Sequence, residues 1–183
     1  MNAYRRHLPR WEGPGIPVFA TWRLRGSLPQ ERVFLPEHLA AGEVFLTWDR
    51  LLDRGRSGPT YLRKPEIARL ALDRMQALAT NQLCSLYAYV VMPNHVHVLW
   101  TPYIRHAELI RKVKGATARQ ANQLLGRSGE PFWQEEYFDR LVRSDREFAQ
   151  IQRYIEWDPV KAALASDPAE FPWSSAYGRE GGL

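Results

Sequence analysis

Two histidines two residues apart, His95 and His97, and a tyrosine and an aspartate four residues apart, Tyr154 and Asp158, have types and spacing that suit chemistry. On a strand, positions i and i+2 share a face, so both imidazoles of His95-Val96-His97 point one way and present two nitrogens to a single cation. The same spacing also serves imidazoles that only hydrogen-bond in a core or at a sheet edge. On a helix, residues i and i+4 are neighbours, so Tyr154 and Asp158 share one side. A carboxylate near a helix C-terminus faces the negative end of the dipole and calls for positive charge, which a bound cation supplies. Plainer readings stand beside these: Asp158 as N-cap of a following helix with Pro159 at its first position, and Tyr154 as a core aromatic with Ile151 and Ile155. Tyr137, Tyr87 and Tyr89 compete for any nucleophilic role, and the four-residue spacing to a candidate ligand favours Tyr154.

These residues need a scaffold, and the hydrophobic pattern predicts one. Residues 17–25 alternate as a first strand, 36–52 read as a helix, 55–59 as a loop, and 64–79 as a second helix with Ile67, Leu70, Ala71 and Leu78 at helical spacing. Residues 83–92 and 95–101 are β-rich and meet at Pro93-Asn94, which predicts an antiparallel pair with a tight turn just before the histidines. Helix returns over 107–125 and strand over 132–142. Ser144-Asp145-Arg146-Glu147 is a capping box: Ser144 covers the amide of Glu147 and the glutamate reaches back. The helix it opens is expected to end near Trp157, because Pro159 drives Asp158 out of the α region. The order β, α, α, β, β, α, β, α suits an α+β sandwich of ferredoxin-like or RRM-like form. Its antiparallel sheet carries helices mainly on one face, and a C-terminal helix bears the tyrosine.

At 183 residues the chain has the size of a single domain, read as one unit over 1–183 with an N-terminal arm at 1–16 and a tail at 177–183. A 45% hydrophobic and 25% charged composition is that of an ordinary soluble globular protein, and no apolar run is long enough to span a bilayer. The arginines of the N-terminus are not followed by an apolar stretch, so secretion is not expected and a cytoplasmic location is. One cysteine, Cys84, leaves no internal disulfide and no cysteine cluster, so a metal site must use His, carboxylate or amide ligands. The net charge of +5 favours a polyanionic partner, and it is patterned. From Arg105 to Arg127 stand six basic residues, Arg105, Arg111, Lys112, Lys114, Arg119 and Arg127, against one acid, Glu108. Arg105, Lys112 and Arg119 recur every seven residues, a stripe suited to a phosphate backbone or simply to a solvated face. Arg5, Arg6 and Arg10 charge the arm, and no glycine-rich phosphate loop is present.

The blocks YVVMPNHVHVLW, FWQEEYFDRLVRSDREF, YIEWDPVKAAL and PWSSA, in that order, resemble those of the REP-associated tyrosine transposases, within the single-tyrosine HUH transposases. The resemblance covers residues 17–176 and is closest from Tyr87 onward. It implies that His95 and His97 hold a divalent metal, that Tyr154 is the nucleophile, and that the residue four further on completes the site. That residue is asparagine in the usual pattern and Asp158 here, which keeps an oxygen donor for a hard cation, Mg²⁺ or Mn²⁺. The resemblance also implies a nucleoid-associated enzyme that nicks and rejoins single-stranded DNA near palindromic hairpins through a 5′-phosphotyrosine. Arg105, Arg111, Lys112, Lys114 and Arg119, with Arg5 and Arg6 of the arm, are then the DNA contacts. Two rivals differ in class. One is a non-catalytic single-stranded DNA or RNA binding module whose RRM-like sheet stacks bases on exposed aromatics. The other is a metal hydrolase with a water nucleophile, which leaves no covalent adduct.

Overall fold

The structure, a computed structural model, describes residues 14–28, 49–52 and 58–179. Within them the order is β1 (Val18–Arg23), α1 (Pro65–Thr80), β2 (Cys84–Val91), β3 (His95–Pro102), α2 (His106–Leu124), β4 (Phe138–Leu141) and α3 (Asp145–Lys161), with residues 49–52 helical as well. The strands lie in the order β2-β3-β1-β4, and every neighbouring pair is antiparallel. This is the expected ferredoxin-like arrangement, in which each crossover helix returns the chain past an intervening strand.

Strand alternation divides the core in two. On one face Ala20 and Trp22 of β1 and Val96, Val98 and Trp100 of β3 pack under Ile67, Ala71 and Met75 of α1 and Leu109, Ile110 and Val113 of α2. The Trp22 and Trp100 rings stack there at 6.1 Å. On the other face Phe19, Ala88, Val90 and Leu99 meet Ile155, Ile151 and Tyr154 of α3. With both faces covered, β3 is buried at every position, as central strands between two layers are. Of the stripe the sequence predicts, α1 buries Ile67, Ala71 and Leu78, joined by Met75, while Leu70 is half-buried; Pro65 sits in its first turn, where a missing N–H costs nothing.

Two expectations are corrected. The strand expected over 132–142 is only Phe138–Leu141. Upstream, Phe132 and Trp133 plug the core beneath α2, where the Trp133 indole donates to Thr117 Oγ1 at 2.9 Å. Lys114 Nζ donates to the carbonyls of Gln134 and Glu135 at 2.7 and 2.8 Å, engaging backbone acceptors a longer strand would use. The last helix does not stop at Trp157 but runs through Pro159 to Lys161. Pro159 removes one backbone hydrogen bond, yet Asp158 and Pro159 are both buried, and Ala162 N and Leu164 N bond back to Asp158 O and Pro159 O at 3.0 and 2.8 Å. Tertiary packing overrides the local proline rule, and Asp158 is no N-cap. At the other end Ser144 caps Glu147 as expected, while the glutamate reaches the amide of Arg143, one residue earlier than predicted. The arm with Arg5, Arg6 and Arg10, most of the helix at 36–52, most of the loop at 55–59 and the end of the 177–183 tail lie outside the described residues.

Candidate active site

β3 begins directly after the Pro93-Asn94 turn, so His95 and His97 leave the sheet on the face covered by α3, and both are fully buried. Their Nε2 atoms are 3.0 Å apart. The other ring nitrogen of each is engaged: His95 Nδ1 is 2.7 Å from Asn94 Oδ1, and His97 Nδ1 is 2.7 Å from Thr21 Oγ1 on the paired strand. The Asn94 amide is oriented by its own Nδ2, which donates to Leu52 O at 3.0 Å. Asn94 Oδ1 accepts only, so His95 carries its proton on Nδ1 and, when neutral, turns a lone pair on Nε2 toward His97.

Two carboxylates close on the same point. Asp158 Oδ2, on α3, lies 3.6 Å from His95 Nε2 and 3.5 Å from His97 Nε2. Asp49, in the helical residues 49–52, places Oδ1 at 3.0 Å from His97 Nε2 and 3.8 Å from His95 Nε2. Asp49, His95 and His97 can each offer one atom to a common ion. Burial pushes the Asp49 carboxyl up, but the charge of His97 and the hydrogen bond with it prevail, helped by His95 and Lys161, and hold it below the usual carboxylate range. Burial likewise disfavours charged His97, yet the charges of Asp49 and Asp158 and the Asp49 hydrogen bond raise it above the ordinary imidazole value. Asp158 is fully buried and neither of its oxygens accepts a hydrogen bond among the described residues. Two imidazoles and two buried carboxylates converge on one point, with no donor to Asp158 among the described residues, and this fits a divalent cation, whose charge would offset both carboxylates.

The spacing of Tyr154 and Asp158 does what the helix period predicts. The Tyr154 ring stands 5.7 Å from that of His97 and edge-on to Phe19 at 6.1 Å. The competing tyrosines lie elsewhere. Tyr137 packs by His106 beneath α2, the Tyr87 hydroxyl bonds Thr101, and that of Tyr89 accepts from Gln76. Asp49 was missed by sequence reasoning, since it is remote along the chain and carries no motif. Thr21 and Asn94, which orient the histidines, were missed too, although Asn94 stands beside His95 in the turn.

The basic residues divide. Arg111, Lys112 and Arg119 of α2 and Arg74 of α1 line an open groove of about 390 Å³ with Gln120. It runs between the two helices that cover the sheet face away from Tyr154. Arg105, exposed at the start of α2, does not line it, and Lys114 turns instead to the Gln134 and Glu135 carbonyls. The seven-residue stripe is therefore brought together only in part. The RRM-like binding rival needs an open sheet face, and helices cover both faces here.

The family described as IS200-like transposases matches residues 60–158. Among solved structures, a REP-associated tyrosine transposase bound to a REP hairpin is 19% identical, with a TM-score of 0.60 over 96% of this chain and 82% of that one. A chain from Deinococcus radiodurans solved as a candidate transposase is 22% identical, with a TM-score of 0.44 over 86% of this chain and 98% of that one. The first likeness is one of fold. No curated protein sequence matches the chain.

Proposed function

The chain belongs to the IS200-like transposase family, and from that premise we propose that it is a metal-dependent endonuclease and strand transferase for single-stranded DNA, cutting beside palindromic hairpins through Tyr154. One observation carries the reading: Tyr154 stands one helical turn before Asp158, whose Oδ2 is within 3.6 Å of both histidine Nε2 atoms. His95, His97, Asp158 and Asp49 would hold Mg²⁺ or Mn²⁺, which when bound supplies Lewis-acid stabilisation of the scissile phosphate. Asn94 and Thr21 fix the two imidazoles, and the Phe19 and His97 rings restrict the Tyr154 side chain. Tyr154 Oη attacks phosphorus, the P–O3′ bond breaks as the P–Oη bond forms, and the phenolic proton is balanced by the one gained on the departing 3′-oxygen. A 3′-hydroxyl attacking the phosphotyrosine reverses the step on a new strand, so no nucleotide is consumed.

The REP hairpin held by the solved relative supports a hairpin partner. Arg74, Arg111, Lys112 and Arg119 would follow its phosphates, with Arg105 and the arm's Arg5 and Arg6 as further contacts. Such a partner puts the protein at the nucleoid, and no described helix is long and apolar enough to cross a membrane. The test is a denaturing gel of protein incubated with Mn²⁺ and a pool of labelled hairpin oligonucleotides with randomised flanks. Wild type and Tyr137→Phe should both carry label covalently and Tyr154→Phe none; an adduct persisting in Tyr154→Phe overturns the assignment.

A further inference from the structure

Because α3 continues through Pro159, Lys161 falls seven residues past Tyr154 and three past Asp158 on one helix, and so on nearly the same side. Helical side chains lean toward the N-terminus, and Lys161 leans over the tyrosine: its Nζ is 4.1 Å from the ring centroid. The residue is exposed, yet its charge is felt inside the cluster by both Asp49 and His97. Lys161 thus stands at the solvent side of the buried cluster, over the ring of the tyrosine to whose hydroxyl a phosphate would be joined.

Charge arithmetic gives that position a task. Asp49, Asp158 and one phosphodiester carry three negative charges, of which a divalent cation offsets two. We propose that Lys161 is a further catalytic residue, whose ammonium binds a non-bridging oxygen of the phosphate as it passes to Tyr154 and offsets the third charge. The inference rests on the function proposed above. A cation resting on its own helix's aromatic ring for packing alone would leave the chemical step unchanged, and that difference is measurable.

The experiment uses the full chain and the oligonucleotide to which wild type attaches from the randomised pool. Single-turnover adduct formation is followed at saturating DNA and Mn²⁺, with affinity measured separately by anisotropy. Lys161→Gln should slow the saturated rate by about tenfold or more, and Lys161→Arg should recover most of it. Adding Asp158→Asn removes one of the three negative charges, so the Gln substitution should then cost less than it does alone. A saturated rate for Lys161→Gln within about twofold of wild type, with or without weaker binding, overturns the inference while leaving Tyr154 in place. Absence of any wild-type adduct overturns the proposed function and this inference together.

Discussion

Along β3, Val96, Val98 and Trp100 face α1 and α2, whereas His95, His97 and Leu99 face α3. One set is a layer of interlocking rings and aliphatic groups. The other holds two imidazoles and two carboxylates, and the Asp158 oxygens accept no hydrogen bond among the described residues. The contrast teaches that a single strand serves stability with one side and chemistry with the other, because its side chains alternate. Substitutions should therefore separate cleanly by face, and a variant that crosses that line would break the separation.

The largest effects belong to the α3 face. Tyr154→Phe should lower adduct formation on the order of 10³-fold or more while leaving the melting temperature close to wild type. His95→Ala and His97→Ala should each abolish cleavage that Mg²⁺ or Mn²⁺ supports, while DNA affinity changes little; undiminished cleavage in excess EDTA would remove the metal from the reaction. Across the sheet, Trp100→Ala should cost about 3–5 kcal/mol of stability, read by urea denaturation, because it empties a fully buried ring site. The rate per folded molecule should survive. If Trp100→Ala instead halts chemistry in folded protein, the two faces are not independent.

A smaller effect sharpens the account of the cluster. Asp158→Asn keeps an oxygen donor but removes one charge, so full activity should persist at saturating Mn²⁺ while the half-saturating concentration rises about tenfold, or about 1.4 kcal/mol. Asp158→Ala should fall further, having lost the donor. Mn²⁺ should stabilise wild type by about 2.7 kcal/mol at a concentration of a hundred dissociation constants, and the Asn variant less at that same concentration. Coincident titrations for all three chains would leave Asp158 as a buried helical residue without a ligand role.

Much of this was legible because the signals are local. The period of two in His95-Val96-His97, the Pro93-Asn94 turn before it and the four-residue step from Tyr154 to Asp158 each need only one element to form. The sheet order follows from the sequence of strands and helices. What escaped was non-local. Asp49 joins the histidines only through the tertiary fold, with the Asn94 to Leu52 hydrogen bond tying its segment to the turn. The rule that ends a helix before proline is local too, and it failed where burial of Asp158 and Pro159 outweighed one missing hydrogen bond. Lys114 read as one of the basic DNA contacts until the 131–137 segment folded back and supplied carbonyls for it.

The smallest effect concerns the outer surface of the α1–α2 layer, where charge returns. Arg74, Lys112 and Arg119 line the α1–α2 groove but lie on the side of the sheet away from Tyr154, so they can hold DNA only at a distance from the cut. Lys112 is also paired with Glu108 at 3.4 Å, an exposed i, i+4 ion pair that contributes little and leaves its charge available. Replacing all three with glutamine should weaken binding of the hairpin oligonucleotide and flatten its salt dependence. The log–log slope should fall by roughly 0.7 for each single-strand phosphate that is no longer neutralised, or about 0.9 where the phosphate belongs to duplex stem. The saturated single-turnover rate should stay at the wild-type value, because none of the three faces the cluster. An unchanged slope would make the groove a solvated surface, and a slower saturated rate would mean that DNA held between α1 and α2 helps to align the phosphate beneath α3.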